Sequence, residues 1–251
     1  MKLDFSIISE TGMRRLNNED AVLFIKPPKP WTEQAMGCLA IVADGMGGHS
    51  KGERASLLAT EILSREYYKK ISQPISSLKK AAIIANNAIA KEGIKEKKGM
   101  GTTCTAAAII GNKLYLMHIG DSRCYLYKKG KLLLLTQDHT LESQTNGGES
   151  SNDNSDLNLM NKHVLTKSLG VEEVTECPAD VYLLAETFDI GDKLILCTDG
   201  LHGHISDYEL QKSIEECKSI KEVSRKWIKT VLTRGAHDNF SFILIEKKTN
   251  S

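Results

Sequence analysis

Four short apolar segments joined by very short connections lie in the middle of this 251-residue chain and limit the folds open to it. They cover residues 102–110, 113–119, 123–128 and 132–135, and each connection carries a glycine. Connections of a few residues join antiparallel strands, whereas parallel strands need a crossover of about a dozen residues or more. This region therefore predicts a meander of antiparallel strands.

Helical patterns lie on both sides of the meander. Residues 55–63 carry apolar side chains at the spacing of one helix face, and a second pattern of this kind begins near Ser77. Ser206 and Glu209 have the spacing of a capping box, and residues 221–232 predict a further helix. Other strands are expected at residues 5–8, 21–25, 38–43, 181–184, 193–197 and 240–246.

Together these elements predict an α+β fold. Two antiparallel β-sheets would form a central sandwich, with helices flanking both outer faces in a four-layer α/β/β/α arrangement. We expect a single domain over residues 1–251. The polar residues 142–158 should form a mobile loop, and the proline-rich residues 26–31 should be a stiff connection between strands rather than a polyproline ligand for a partner domain.

Charge and cysteine usage exclude several classes of protein. The formal net charge is +1, so the chain lacks the basic excess that is typical of nucleic-acid binders. No apolar run reaches the length of a signal peptide or a membrane span. The six cysteines are scattered, whereas zinc fingers and disulfide frameworks cluster them. We therefore expect a cytoplasmic protein with free thiols that binds neither nucleic acid nor membrane.

Acidic residues recur where apolar segments begin or end. Six of them flank such segments: Glu19, Asp20, Asp44, Asp121, Asp199 and Asp238. Carboxylates brought together at one edge of a sheet repel one another unless cations neutralise them. Oxygen ligands select Mg²⁺ and Mn²⁺ over zinc, and two such ions about 4 Å apart support the hydrolysis of phosphate esters. A single Asp–Gly pair at a strand end is more often a simple turn, so this interpretation depends on the whole set.

The segments around these acids resemble the metal-dependent protein phosphatases (PPM, or type 2C) in their compact bacterial form. The resemblance runs in the same order over nearly the whole chain. GMRRLNNED at residues 12–20 is similar to the family's G-x-x-R-x-x-N-E-D, and VADGMGGH at residues 42–49 is similar to its V-A-D-G-M-G-G-H. The remaining matches are GTT at 101–103, GDSR at 120–123, TQDH at 136–139, LTKSLG at 165–170, TDGL at 198–201 and DN at 238–239.

The resemblance implies a centre of two Mn²⁺ or Mg²⁺ ions, with a third ion in addition. The implied ligands are Glu19, Asp20, Asp44, Gly45, Asp121, Asp199 and Asp238. Asp44 would bridge the two core ions, and the carbonyl of Gly45 would bind one of them. Glu19 and Asp20 would orient the waters of the second core ion.

Other implied roles concern the first core ion, the third ion and the substrate. Asp199 and Asp238 would bind the first core ion, and Asp121 would share the third ion with Asp199. Arg15 would hold the substrate phosphate, for which its planar donors are suited, and Arg14 would be a solvated neighbour. The implied catalytic residues are thus Arg15, Asp44, Asp199 and Asp238.

Three positions depart from the family pattern, although none of them removes an implied ligand. Glu10 stands where many members have aspartate, and Ser241 replaces a usual threonine. Met46 stands where animal members carry a histidine proposed as general acid, and bacterial members also have methionine there.

Several polar residues near the motifs have less defined expectations. Asn239 and Thr102 should shape strand ends rather than touch substrate. His49 has two equal interpretations, a contact with the site or a cap of the following helix. We expect no role for His202 and His204, which form an H-x-H pair in a loop.

The resemblance implies a serine/threonine protein phosphatase that hydrolyses phosphoserine and phosphothreonine esters by attack of a water or hydroxide bridging the metal ions. Its substrates would be proteins that a serine/threonine kinase has phosphorylated. The chain would act as a monomer, and residues at about 140–164 would form a mobile flap. Two alternatives remain open. The first is a non-catalytic regulator of this fold, which should have lost metal ligands. The second is a metal phosphohydrolase that acts on small molecules or nucleic acid, and the balanced charge of the chain argues against nucleic acid.

Overall fold

The predicted meander is present and is divided between two antiparallel sheets. The computed structural model describes residues 1–46, 50–69, 71, 73–95, 99–145 and 164–249. Its strands are β1 (Lys2–Glu10), β2 (Asp20–Ile25), β3 (Cys38–Met46), β4 (Gly101–Thr102), β5 (Cys104–Ile110), β6 (Lys113–Ile119), β7 (Arg123–Lys128), β8 (Lys131–Leu134), β9 (Asp180–Thr187), β10 (Lys193–Cys197) and β11 (Phe240–Lys248). Its helices are α1 (Pro30–Met36), α2 (Ser50–Tyr68), α3 (Pro74–Lys95), α4 (Leu141–Thr145), α5 (Asp199–His202), α6 (Asp207–Glu216) and α7 (Ile220–Thr233).

The strand order explains how the acids reach one place. One sheet has the order β1–β11–β10–β7–β8, and the other has the order β2–β3–β5–β6–β9 with the short β4 attached to β3. The chain passes from the second sheet to the first between Ile119 at the end of β6 and Arg123 at the start of β7. Asp121 therefore lies where the edges of the two sheets meet.

Apolar side chains fill three layers between these elements. The layer between the sheets includes Val42, Leu116 and Ile243. Helices α2 and α3 cover the outer face of the second sheet, and α6 and α7 cover the outer face of the first, where the Trp227 ring packs 5.3 Å from that of Phe242. The four-layer α/β/β/α arrangement predicted from the sequence is confirmed.

The capping box predicted before α6 is also confirmed. The Ser206 backbone N–H donates to the Glu209 carboxylate at 3.0 Å, and the Glu209 N–H donates back to the Ser206 hydroxyl at 3.4 Å. This exchange satisfies two donors that the first turn of a helix leaves without intrahelical partners. It accounts for the start of α6 at Asp207.

Three local predictions were wrong. The connection expected at residues 26–31 leads into the helix α1, because Pro30 occupies the first helical turn, where its missing N–H costs nothing. The strand expected at 38–43 continues through Asp44 to Met46, because β4 pairs with its end. The strand expected at 102–110 is interrupted at Thr103, whose N–H donates to the Asp44 carbonyl at 2.9 Å.

The predicted loop and flap lie largely outside the described residues. Residues 146–163 are not described, and neither is His49. Within the described part, residues 142–145, predicted as loop, belong to the short helix α4. No helix in the described ranges is both long enough and apolar enough to cross a membrane.

Candidate active site

Side chains from both sheets line one open cleft where the sheet edges meet. Its volume is about 480 Å³. The residues lining it are Arg15, Glu19, Asp44, Gly45, Met46, Thr103, Asp121, Leu165, Asp199 and Asp238. Of the ligands predicted from the sequence, all but Asp20 are in this lining. Asp20 is buried and lies directly opposite Asp44 in the pairing of β2 with β3.

The backbone of Asp44 is fixed by two neighbouring threonines. Its N–H donates to the Thr103 hydroxyl at 2.9 Å. Its carbonyl accepts the Thr103 N–H and the Thr102 hydroxyl, each at 2.9 Å. Cross-strand neighbours such as Asp20 and Asp44 place their Cβ atoms about 5 Å apart, so the two carboxyl groups share one region. These contacts hold Asp44 rigidly at the floor of the cleft.

Gly45 is required by the closeness of two other backbone segments. Its N–H donates to the Glu19 carbonyl at 3.0 Å. A Cβ placed on Gly45 would lie 2.0 Å from the carbonyl oxygen of Gly52, in the first turn of α2. Only glycine fits there, because any side chain would overlap the opposing backbone. The close approach holds Glu19 and Gly45 side by side.

Asn239 joins the segment before β2 to the residue that follows Asp238. Its Oδ1 accepts the Glu19 N–H at 2.8 Å, and its Nδ2 donates to the carbonyls of Thr11 and Asn17 at 2.8 and 2.9 Å. Its side chain makes only backbone contacts among the described residues. These hydrogen bonds agree with the expectation that Asn239 shapes the strand ends, and the expectation that it does not touch substrate stays a prediction.

Arg15 and Asp238 form an ion pair at the mouth of the cleft. The Arg15 guanidinium donates to Oδ2 of Asp238 at 2.7 Å. This hydrogen bond is the main reason why the pKa of Arg15 is raised. Arg14 is also exposed, but it does not line the cleft. Arg15 thus lines the cleft beside a predicted metal ligand, and its binding of the phosphate stays a prediction.

Burial raises the pKa of three of the acids. The pKa of Asp20 rises to about 7, chiefly because the carboxyl is buried, although the Thr198 hydroxyl donates to its Oδ2 at 2.9 Å and opposes the rise. The pKa of Asp121 rises to about 7, first through burial and then through repulsion from Asp199. Burial also raises the pKa of Asp44 well above its ordinary range, with Asp20 adding the largest repulsion. Acids destabilised in this way favour a nearby cation.

Comparison with known proteins decides the family. A family profile described as "Protein phosphatase 2C" matches residues 13–239. The chain belongs to this family. The match includes every sequence-predicted site residue, from Arg15 to Asp238.

Named relatives agree with this membership. The chain is 32% identical over 250 residues to the serine/threonine phosphatase stp of Listeria welshimeri, covering 95% of this chain and 94% of the relative. It is 30% identical over 248 residues to the serine/threonine protein phosphatase PstP of Mycobacterium tuberculosis, covering 97% of this chain and 45% of that protein.

Solved structures of protein phosphatase 2C relatives share the fold. The catalytic domain of PstP, in complex with two manganese ions, has a TM-score of 0.80 at 30% identity, covering 98% of this chain and 99% of that chain. The serine/threonine phosphatase of S. agalactiae has a TM-score of 0.82 at 25% identity, covering 98% and 100%. The predicted serine/threonine protein phosphatase, with Mn²⁺ or Mg²⁺ as its cofactor, is confirmed.

The residues of this protein phosphatase 2C member fit a divalent ion. The acids that line the cleft offer oxygen ligands only, which suits Mn²⁺ and Mg²⁺. Among the described residues, the buried Oδ1 of Asp20 has no hydrogen-bond partner. Such a buried acceptor is costly unless a donor or a cation satisfies it. The donor set therefore matches the cofactor of the family.

The carboxylates are not, however, gathered into a finished metal site. Within the described ranges, no three His, Cys, Asp or Glu side chains are arranged to hold one ion. One reason is that the carboxylate of Asp238 is hydrogen-bonded to Arg15 instead of facing the other acids. Binding an ion would thus require rotation of acidic side chains, with carbonyl and water oxygens completing the coordination.

Two residues that support the site were missed in the sequence analysis. Thr198 donates its hydroxyl to Asp20 and accepts the Ser241 N–H at 3.0 Å, so it joins β11 to β2. His202, for which no role was expected, lies with its Nε2 3.1 Å from the carbonyl oxygen of Asp121. The place of His202, two residues after the Asp199–Gly200 pair, was the signal available in the sequence.

Proposed function

We propose that this enzyme hydrolyses phosphoserine and phosphothreonine esters in proteins that a serine/threonine kinase has phosphorylated. The observation that carries the proposal is the convergence of four acids from the ends of different strands on one cleft that Arg15 also lines: Asp44, Asp121, Asp199 and Asp238. An open cleft at the surface admits a side chain carried by a polypeptide. The names of the relatives support the same substrate class.

The ligand assignments that the family resemblance implies are supported by where the side chains lie. Asp44, in the floor of the cleft, would lie between two core ions with the Gly45 carbonyl beside it. Asp199 and Asp238, on the side of the first sheet, would hold one of these ions. When bound, Mn²⁺ or Mg²⁺ supplies Lewis acidity and lowers the pKa of water.

The remaining assignments concern the second core ion and the third ion. Glu19, directly before β2, and Asp20, the first residue of β2, would orient the waters of the second ion. Asp121 with Asp199 would hold a third ion, since the two acids line the same cleft and repel each other. A cation between them would remove that repulsion.

Arg15 would bind and orient the phosphate. Its guanidinium has planar donors that match two phosphate oxygens, and only one of its nitrogens bonds to Asp238. Met46 lines the cleft but carries no transferable proton, so it cannot act as a general acid. Positioning of the phosphate is therefore the role that we assign to Arg15, the arginine among the described residues that line the cleft.

The proposal includes a cytoplasmic, monomeric protein with a single catalytic domain over residues 1–251. The six cysteines are free, and four of them are buried, which suits a reducing compartment. The two sheets share one apolar layer, which supports a single domain. The retained acids argue against a non-catalytic regulator, and the following assay separates protein substrates from small phosphate esters.

The decisive experiment is a panel of phosphoserine, phosphothreonine and phosphotyrosine peptides, together with an aryl phosphate, tested with Mn²⁺ and with chelator. We expect hydrolysis of the serine and threonine peptides that chelator abolishes. Asp199→Asn should abolish it as well, whereas Asp4→Asn, at the far end of β1, should not. Full turnover after metal stripping would contradict the metal mechanism, and turnover of the aryl phosphate alone would favour a small-molecule phosphohydrolase.

A further inference from the structure

The turn that carries Asp121 is held on one side by His139. The N–H of Gly120 donates to Nδ1 of His139 at 3.1 Å, and the His139 N–H donates to the Gly120 carbonyl at 2.8 Å. Gly120 has a φ of +105°, and a Cβ there would lie 2.6 Å from the Thr103 side chain. The backbone before Asp121 thus has little freedom to move toward the second sheet.

On its other side the same turn is held by His202. Nε2 of His202 lies 3.1 Å from the carbonyl oxygen of Asp121. A carbonyl oxygen can only accept, so Nε2 must carry the proton and donate it. The hydrogen bond to the Asp121 carbonyl therefore selects the imidazole tautomer that is protonated at Nε2.

His202 belongs to the same short helix as the other acid of this part of the cleft. Helix α5 begins at Asp199 and ends at His202, so the two residues are separated by less than one helical turn. The hydrogen bond from His202 therefore ties the helix of Asp199 to the turn of Asp121.

The tie acts against a repulsive force. Asp121 and Asp199 line one cleft, and the charge of Asp199 contributes to the raised pKa of Asp121. Two carboxylates that repel will separate unless the backbones carrying them are held. A hydrogen bond from an imidazole N–H to a carbonyl supplies such a hold without placing any further charge between the acids.

We propose that His202 is a positioning residue that sets the separation of Asp121 from Asp199 and thereby prepares this pair of acids for a shared divalent cation. The inference rests on the proposed function, because it concerns the acids assigned there to the third ion. His202 would contact neither the substrate nor the reacting atoms. It would act only through the carbonyl of Asp121.

His204 offers a matched comparison. It lies two residues further along the chain, and its Nδ1 bonds to the carbonyl of Gly200, in α5 itself, at 2.9 Å. It also packs near His237, with ring centroids 5.8 Å apart. A histidine that merely stabilises this loop should behave like His204, whereas a positioning residue should not.

The test uses the full chain, stripped of metal and titrated with Mn²⁺ in a calorimeter. His202→Leu should weaken the weakest Mn²⁺ binding event by about 10-fold, the effect typical of losing a partner that orients a metal ligand. His202→Gln, which keeps an N–H donor near the position of Nε2, should recover most of the affinity. His204→Leu should bind Mn²⁺ like the wild type.

Kinetics with an aryl phosphate provide the second readout. His202→Leu should lower kcat with little change in KM, because Arg15 still binds the phosphate. Wild-type Mn²⁺ binding by His202→Leu, or equal losses in His202→Leu and His204→Leu, would overturn the proposal. If His202→Leu does not fold, failure of His202→Gln to bind Mn²⁺ better than His202→Ala would overturn it as well. A wild type that binds Mn²⁺ but hydrolyses nothing would refute the proposed function, while the calorimetry would still decide the role of His202.

Discussion

The Arg15 guanidinium donates to the Asp238 carboxylate at 2.7 Å, which joins the residue assigned to the phosphate with a residue assigned to a metal ion. The two side chains are 50% and 36% exposed, so the pair stabilises the fold by less than about 1 kcal/mol. Asp238 can turn either to Arg15 or to a cation. We therefore expect ion binding to release Arg15 toward the substrate phosphate.

Replacing Arg15 by alanine should weaken substrate binding more than it slows the chemical step. Loss of a charged hydrogen-bond donor to phosphate should lower kcat/KM by about 30-fold, or about 2 kcal/mol, mostly through KM. Steady-state kinetics on a phosphopeptide at saturating Mn²⁺ measure this. Arg14→Ala is the matched control, and similar kinetics in the two variants would show that Arg15 does not hold the phosphate.

The same substitution should have the opposite effect on the metal. Removing the Arg15 charge leaves the negative potential of Glu19 and Asp44 less compensated and frees Asp238. Mn²⁺ affinity in the stripped protein should rise by about 3- to 5-fold, as expected for a charge of this exposure. Calorimetry at moderate salt tests this, again with Arg14→Ala as control. Weaker Mn²⁺ binding in Arg15→Ala would mean that Arg15 supports the metal site instead of competing with it.

Asp44→Asn should abolish activity while the fold persists. An amide keeps the shape of the carboxyl but cannot bridge two cations, so we expect a loss of at least about 100-fold in kcat. The variant also removes a buried charge that repels Asp20, so its melting temperature in chelator should exceed that of the wild type. Near-wild-type kcat at saturating Mn²⁺ would show that Asp44 is not the bridging ligand, and Asp4→Asn controls for the substitution itself.

Stability without metal should fall as pH rises from about 5 to 8. Asp20 and Asp121 have pKa values of about 7 in the folded protein, against about 4 in an unfolded chain. Between these values the folded state holds more protons than the unfolded state, so the free energy of unfolding decreases with increasing pH. Thermal melts in chelator across this range measure the slope. Asp20→Asn should flatten it, and a wild-type melting temperature that rises with pH would contradict the raised pKa values.

Gly45→Ala should destabilise the protein even though alanine is small. The added Cβ would lie 2.0 Å from the Gly52 carbonyl oxygen, so either β3 or α2 must shift, at a cost of about 2 kcal/mol or more. Chemical denaturation measures the loss. Gly99→Ala is the control, because a Cβ there meets nothing within 4 Å. Equal stability of the two variants would show that the backbone contact at Gly45 is looser than described.

Local patterns were sufficient for most of the elements. The bounds expected for β6, β7 and β10 agree with the structure, because short turns and apolar alternation are properties of neighbouring residues. The capping box at Ser206 was predictable for the same reason. The end of β3 was not, because β4 is brought to it from a position more than fifty residues away along the chain.

The sequence by itself determined the family, and it singled out Arg15 and the acids that line the cleft. It could do so because motif spacing preserves which residue types occur in which order. Their environment was decided only by the tertiary structure. The ion pair of Arg15 with Asp238 and the contact of His202 with Asp121 each join segments that are distant in sequence. The raised pKa of Asp20 likewise depends on its burial by segments that are distant in sequence. Burial and through-space contacts depend on how the two sheets pack, and no local pattern of residues predicts that packing.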